Sequence, residues 1–306
     1  MIGRVATFAL NDRMISAALQ AQAETASLQL QQASGKISED FGGLGGTSRR
    51  VLDLQTSIRQ SQSYSAAATG ALGRIEVMYS AASQMTDLLT SLRADLTAAS
   101  TATDEASVST LASSASQGLA ELAALLNTNY EGRYLFAGAA TDTAPVDLDA
   151  ADWPTPTTPS TASTAYYRGD DQIAAVKVGS EQTVQYGVTA DAAPFEQALR
   201  AFSLVAGLSG SSVDPDTLTE ALDLALSALD GITAIQTKLS FDAATMERAV
   251  DTQTEFQDQA SGLASDLTDV DLAAVTAELS VRQAQLEASY SALATIQKLS
   301  LLDYLR

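Results

Sequence analysis

The sequence predicts a mainly α-helical fold: an elongated antiparallel helical bundle, or coiled-coil rod, built from both chain ends, with a small β-rich domain inserted in the middle. Apolar residues recur at helical spacing through most of both halves of the chain. Bulky core residues are few, with one Trp, seven Phe and nine Tyr in 306 residues, which favours slim helix bundles over a thick core. Between the helical halves, prolines, glycines and alternating residues replace the helical pattern.

The first predicted element is a helix over residues 10–33, which are rich in Ala, Gln, Leu and Met. Ser-Gly-Lys at 34–36 interrupts this helix, and FGGLGG follows at 41–46. Four glycines in six residues disfavour a helix because glycine loses the most conformational freedom on ordering. We therefore expect a loop or a hinge at 41–46.

Helical periodicity then dominates from Thr47 to Asn129. Small, polar and acidic residues at 98–107 interrupt it and predict a turn, so two antiparallel helices are the simplest consequence. The apolar stripe of the first helix comprises Leu72, Ile75, Tyr79, Ala82, Met85, Leu89, Leu92 and Leu96, and that of the second comprises Val108, Leu111, Ala115, Leu119, Leu122 and Leu126.

The predicted β-rich insert begins just after Gly132. Glycine in the left-handed conformation is common past a helix C-terminus, so Gly132 is predicted to end the second helix. RYLFAG at 133–138 alternates and carries aromatic residues, which predicts a strand. Residues 141–165 contain four prolines among Asp, Thr and Ser and are predicted to be a loop, whereas the short alternating runs at 165–188 predict hairpins.

Helical pattern returns at 194–208 and again after a polar loop. Thr217 and Glu220 have the spacing of a capping box, with Pro215 just before them. A long amphipathic run follows to Leu267, and a last helix begins after DLTDVD at 266–271.

The order of the elements predicts three structural parts. Residues 1–40 with 270–306 are predicted to form a terminal helical core segment. Residues 41–132 with 193–269 are predicted to form a helical rod domain, and residues 133–192 a β-rich insert domain.

The composition argues against catalysis and against cofactors. The chain has no Cys and no His, which removes disulfides, thiolate nucleophiles and the commonest metal ligand and general base. No phosphate-binding loop, dinucleotide fingerprint or serine-nucleophile motif is present. Neither acidic cluster, at 147–152 or at 266–271, has the pattern of a calcium loop. We expect no enzyme, no cofactor and no metal; an enzyme would need a carboxylate pair in the insert, and Asp170 with Asp171 is the only adjacent candidate.

Two further features bear on partners and location. The net charge is −20, which disfavours binding to nucleic acid or to an anionic membrane. Asn11, Asp12 and Arg13 interrupt the apolar N-terminus, so no cleaved signal peptide is expected, and no apolar run is long enough to predict a membrane span. Arg168-Gly169-Asp170 matches a short adhesion tripeptide, which keeps a secreted coiled-coil effector or adhesin as a distant alternative.

The terminal segments have apolar helical stripes, but neither segment contains a second element against which its stripe could pack. Isolated helices are marginal in water, so the first ~30 and last ~35 residues either pair with each other or order upon a partner chain. The sequence leaves both possibilities open.

Several segments resemble bacterial flagellin and its relatives. LQLQQASGKISED at 28–40 resembles the segment after the first flagellin helix, and residues 265–305 resemble the C-terminal segment. GRYLFAGAATDTAPV at 132–146, YYRGDD at 166–171 and the tail LSLLDYL at 299–305 are similar to one branch, the hook–filament junction proteins of the hook-associated protein 3 type. FGGLGG at 41–46 departs from the Asp-Asp-Pro-Ala type of sequence that relatives have there.

The resemblance implies a structural subunit of the bacterial flagellum. Such a subunit would be exported unfolded by the flagellar type III apparatus, lie outside the cell between hook and filament, and template flagellin polymerisation. The implied partners are further copies of the chain, the first hook–filament junction protein (hook-associated protein 1), flagellin and an export chaperone. A flagellin filament subunit is the alternative, against which GRYLFAG and Asp303-Tyr304-Leu305 argue. The implied assembly and chaperone interface lies on the last helix, at Leu272, Leu279, Leu286, Leu293, Leu299, Leu302 and Leu305.

Overall fold

The computed structural model describes residues 2–99, 105–150, 153–210 and 214–304, with side chains of the terminal helices described from residue 12 and up to residue 295. The predicted fold class is confirmed, because long helices precede and follow short β-hairpins. The helices are α1 (Ile2–Ser34), α2 (Ser48–Ala99), α3 (Glu105–Leu126), α4 (Ala193–Ala206), α5 (Pro215–Thr268) and α6 (Leu272–Tyr304), and the strands are β1 (Asn129–Tyr130), β2 (Arg133–Tyr134), β3 (Ala175–Lys177) and β4 (Thr183–Gln185).

The chain packs as two compact units. The first unit comprises Met1–Arg59 with Phe256–Arg306, and the second comprises Gln60–Glu255. Both boundaries fall inside long helices, α2 and α5. The three-part division predicted from the sequence stays a prediction. Of the turn predicted at 98–107, residues 98 and 99 lie in α2 and residues 105–107 in α3, and residues 100–104 lie outside the described residues.

In the first unit, α1 and α6 pack against each other. Arg282 of α6 forms an ion pair with Glu24 of α1 at 3.1 Å, and Gln32 donates to the Thr276 hydroxyl at 3.2 Å. The two terminal helices therefore pair, which is one of the two possibilities that the sequence leaves open. Buried apolar side chains of this unit are Ala18, Val51, Ala260, Val275 and Leu279.

The segments that follow α1 and α5 are joined in a backbone clasp, which we call the terminal clasp (residues 35–37 and 268–270). Gly35 adopts a left-handed conformation (φ 71°), which ends α1 as predicted. Ile37 N donates to Thr268 O at 2.7 Å, and Val270 N donates to Gly35 O at 3.0 Å. Lys36 forms an ion pair with Asp269 across the clasp.

The prediction of a loop at the glycine-rich stretch is wrong in part. Phe41–Thr47 forms 3₁₀ turns, and only Gly45 leaves helical geometry, with φ 56° and ψ −127°. The Ser48 hydroxyl donates to Gly45 O at 2.8 Å and also to Phe41 O. This side chain satisfies carbonyls that a free loop would expose to water, so helical turns continue directly into α2.

The second unit has one apolar core, to which α2, α3, α4 and α5 all contribute. Ile75, Met85 and Leu89 of the predicted α2 stripe are buried there. Tyr79 is 42% exposed, so its assignment to the stripe is wrong. Met78 takes the core-facing position instead, because its side chain packs toward Gly187 of the insert.

The assignment of Gly132 to a helix end is also wrong. The helix α3 ends earlier, at Leu126, and β1 pairs with β2 in an antiparallel hairpin. Glu131 and Gly132 form its two-residue turn, both with positive φ (52° and 76°). Two consecutive positive φ angles match the twist of a tight hairpin. Gly132 therefore serves this turn, and only Arg133 and Tyr134 of RYLFAG form a strand.

Among the described residues at 165–188, where the alternating pattern predicts hairpins, β3 pairs with β4 in one hairpin. Outside its strands, the described segments of the insert are irregular, and they contribute Phe136, Val146, Tyr166 and Ala190 to the core of the second unit. Phe136 packs edge-to-face against Phe195 of α4, with ring centroids 5.8 Å apart. The Tyr166 hydroxyl donates to Ala190 O at 2.9 Å, and burial raises the pKa of Tyr166 well above its usual range.

The predicted proline-rich loop is tied to two helices. Its Thr158 hydroxyl bonds the Thr217 hydroxyl of α5 at 2.6 Å. Ser160 N donates to Glu220 at 2.8 Å, and Ser163 N donates to the buried Glu196 of α4 at 3.1 Å.

The same contacts overturn the predicted capping box. Glu220 binds Ser160 rather than the start of its own helix. The cap is Asp214, whose carboxylate accepts from Thr217 N at 3.0 Å and from the Thr217 hydroxyl at 2.7 Å. These bonds lower the pKa of Asp214. Pro215 fits the first helical position because its missing N–H has no partner there in any helix.

Candidate assembly surface

The paired terminal helices expose large apolar side chains to solvent. Leu19 and Leu30 of α1 are 60% and 65% exposed, and Val281 of α6 is 65% exposed. Ile15, Leu19 and Leu30 lie within about 60° of one another around α1, since each residue advances about 100°. The apolar face of α1 is therefore wider than the part that α6 covers. We call Ile15, Leu19, Leu30, Leu272, Val281 and Tyr290 together the terminal apolar surface. Its α1 members share one face, whereas on α6 Val281 lies about 180° around the helix from Leu272 and Tyr290.

The leucines that the sequence singled out on α6 divide between two environments. Leu279 is buried, Leu286 and Leu293 are half-buried, and Leu272 is 51% exposed. Leu299 and Leu302 lie in α6, but their side chains fall outside the described residues, as does Leu305 altogether. Seven-residue spacing keeps Leu272, Leu279, Leu286 and Leu293 near one stripe, part of which the structure uses to pair α6 with α1.

Sequence reasoning missed Leu19, Leu30 and Val281. Leu19 and Leu30 lie with Ile15 on one face of α1, and that clustering was the available signal there. Single exposed apolar residues are common on protein surfaces. Three of them within about 60° on one face of α1 indicate a contact surface instead.

The two units differ in net charge. The first unit has 12 acidic and nine basic residues, whereas the second has 25 acidic and eight basic residues. Their net charges are therefore −3 and −17. Copies of the nearly neutral first unit approach each other with little repulsion, whereas copies of the second unit repel at low salt.

The Arg168-Gly169-Asp170 tripeptide has a structural role. The Asp170 carboxylate accepts from Ala139 N at 2.7 Å and from Gln172 N at 3.0 Å, and Arg168 N donates to Pro145 O at 2.9 Å. A side chain at Gly169 would overlap the Tyr167 hydroxyl. Asp170 is thereby engaged within the insert rather than presented to a receptor, and its carboxylate is oriented by backbone donors.

Within residues 2–99, 105–150, 153–210 and 214–304, no three or more acidic side chains converge as metal ligands would. Across those same residues, no helix combines the length and the apolar character needed to cross a bilayer.

Comparison with known protein families identifies both helical regions. The bacterial flagellin N-terminal helical region matches residues 5–141, and the bacterial flagellin C-terminal helical region matches residues 222–305. Comparison with curated protein sequences finds no match.

Solved structures similar to this chain include the following three. A Vibrio parahaemolyticus protein assigned as flagellar hook-associated has a TM-score of 0.60 at 14% identity, over 75% of this chain and 99% of its own. FlgL from Bacillus cereus has a TM-score of 0.43 at 16% identity, over 71% and 96%. Flagellar hook-associated protein 3 from Legionella pneumophila has a TM-score of 0.47 at 14% identity, over 72% and 97%.

The first of these similarities shows the fold, and the two family regions show the family. Together the N- and C-terminal regions cover well over half of the chain, including most of the helices that carry the terminal apolar surface. The chain belongs to the bacterial flagellin family, in which these two helical regions are shared.

Proposed function

We propose that this protein is the hook–filament junction adaptor of a bacterial flagellum, a structural subunit rather than a catalyst. It is exported through the flagellar type III apparatus and acts outside the cell, where it templates flagellin polymerisation. The observation that carries this proposal is the terminal apolar surface on the paired end helices of a flagellin-family chain.

Burial of this surface supplies the driving force for assembly. Fully burying one large aliphatic side chain contributes about 1.5–3 kcal/mol, and six large side chains of the surface are more than a third exposed. The proposed partners on this surface are further copies of the chain, hook-associated protein 1 and flagellin. Before export, a chaperone shields the last helix, α6, including Leu286, Leu293 and Leu302.

The junction role, rather than that of the filament itself, is supported by the resemblance of GRYLFAG and of the tail at 299–305 to junction proteins. Deleting the gene separates the two roles. A junction adaptor predicts hooks without filaments and free flagellin in the medium. Bare hooks with no flagellin anywhere would identify the filament subunit, and normal filaments would refute both.

The surface itself is tested by complementing the deletion with variants. Leu19→Ser and Val281→Ser replace exposed side chains, so we expect folded, secreted protein that fails to restore motility. Phe241→Ser is the matched control, because Phe241 is 67% exposed but belongs to the second unit. Full motility with the first two variants, or its loss with the control alone, would contradict the assignment of the surface.

A further inference from the structure

Two arginines of the second unit share an unusual feature. The Nε atoms of Arg74 on α2 and Arg200 on α4 are buried, and neither makes a hydrogen bond within the described part of the chain. Arg200 nevertheless has a close carboxylate, since its Nε lies 3.1 Å from Glu196 Oε1. Its terminal nitrogens also donate to the Ser160 hydroxyl at 3.0 Å and to Glu196 Oε2 at 3.3 Å.

Arg74 has much weaker partners. One terminal nitrogen donates to the Tyr186 hydroxyl at 3.1 Å. The other lies 3.9 Å from Glu131, whose side chain is 62% exposed at the tip of the β1–β2 hairpin. A guanidinium carries five donors in a planar fork that matches a carboxylate. Compared with Arg200, Arg74 therefore retains donors that no carboxylate at contact distance uses among the described residues.

The Arg74 side chain borders a small concavity, which we call the Arg74 pocket. Its volume is about 40 Å³, and its lining includes Arg74, Arg133, Thr141, Gln172 and Tyr186. Two arginines thus line one pocket, in a unit that has only eight basic residues against 25 acidic residues. The volume suits one small anionic group, and a partly desolvated anion gains from charge-assisted hydrogen bonds.

We propose that the Arg74 pocket binds a single carboxylate group, with the Arg74 guanidinium as the main donor and Arg133 beside it. This proposal does not rest on the junction role. The carboxylate can belong to a small organic acid or to an Asp or Glu of a second copy, and the chemistry of recognition is the same.

Nuclear magnetic resonance of arginine Nε–H groups tests the proposal on the full chain. Sodium formate replaces sodium fluoride at constant ionic strength, and Arg74→Lys identifies the Arg74 resonance by its loss. We expect a saturable shift of Arg74 Nε–H, while Arg200 Nε–H stays unchanged because Glu196 already pairs with it. Arg133→Gln, at an exposed position, should weaken formate binding at least threefold without disturbing the fold.

A second arm distinguishes the source of the carboxylate. In formate-free buffer, a shift of Arg74 Nε–H on tenfold concentration of the protein identifies a second copy. A shift with formate alone identifies a small free acid. Either result supports the site. The proposed site is overturned if neither arm gives a saturable shift, or if Arg74 and Arg200 shift equally.

Discussion

Gly138 joins two distant segments of the insert at a single backbone position. Its φ is +70°, and a Cβ there would overlap the carboxylate and carbonyl oxygens of Asp170. The next residue, Ala139, donates its N–H to that carboxylate, and the Tyr167 hydroxyl donates to Asp170 O at 2.5 Å. Both the conformation and the close approach therefore require glycine at 138.

Gly138→Ala should destabilise the second unit by roughly 2–4 kcal/mol, because the left-handed conformation and the overlap each add a cost. Chemical denaturation measures this loss. Gly70→Ala is the matched control, since nothing lies within 4 Å of a Cβ there and Gly70 lies inside α2. The control should be neutral or stabilising by up to about 1 kcal/mol. Equal effects of the two substitutions would contradict the packing at Gly138.

Asp269 makes the terminal clasp sensitive to acid. Hydrogen bonds from Lys36, and then from Ser265 and Thr268, lower the pKa of Asp269 from its ordinary value of 3.8 to about 2. A lowered carboxylate pKa stabilises the folded state fully above the ordinary value, and this contribution is lost as the pH falls toward 2.

Carboxyl chemical shifts should therefore show Asp269 titrating with a midpoint of about 2. Lys36→Gln removes the largest cause and should raise that midpoint toward the ordinary value. A wild-type midpoint near 3.8, or no response to Lys36→Gln, would show that the clasp ion pair does not persist in solution.

At the scale of elements, α5 begins where its cap places it. Asp214 and Pro215 form the start, and the bonds to Thr217 satisfy donors that the first turn leaves unpaired. Asp214→Ala should lower the thermal midpoint of the second unit by roughly 2–4 °C. Asp214→Asn keeps an accepting oxygen, so this variant should retain most of the wild-type thermal stability. If Glu220→Gln were the more damaging change at the helix start, the capping assignment would be wrong.

The leucines on one stripe of α6 differ in burial, since Leu279 is buried and Leu272 is exposed. Leu279→Ala should destabilise the first unit by about 2–4 kcal/mol, because it leaves a cavity between packed helices. Leu272→Ala should change stability by less than about 0.5 kcal/mol, since Leu272 is half exposed. Calorimetry of the two variants provides the comparison. Similar losses at both positions would mean that Leu272 also packs within the unit.

At the scale of the whole molecule, charge and apolar surface are divided between the units. The second unit has a net charge of −17 and the first of −3, and the terminal apolar surface belongs to the first. Repulsion between second units acts over about 30 Å at 10 mM salt but only about 8 Å at 150 mM.

Self-association should therefore strengthen as salt is raised from 10 to 150 mM, with sedimentation as the measurement. Leu30→Ser should abolish association at both salt concentrations, because it removes apolar surface and leaves the charge unchanged. Association that weakens with salt would indicate that ion pairs, rather than the apolar surface, hold the copies together.

Local patterns predicted much of the fold. Three- and four-residue spacing predicted the helices, and Ser-Gly-Lys predicted the end of α1, because periodicity and backbone freedom act within a few residues. The same local signals misassigned Gly132, Tyr79 and Glu220. Gly132 was misassigned because a glycine with positive φ serves a helix end and a tight hairpin turn alike. For Tyr79 and Glu220 the deciding partner lies far along the chain: Gly187 of the insert beside Met78, and Ser160 of the proline-rich segment.

The candidate surface divides in the same way between sequence and structure. The sequence by itself determined that the last helix carries leucines able to pack and that the chain has no cysteine or histidine for chemistry. Only the tertiary structure decided which side chains pairing uses, burying Leu279 while leaving Leu19, Leu30 and Val281 exposed. The physical reason is that burial depends on which face of one helix meets another 240 residues away along the chain, and periodicity within a single helix does not encode that choice.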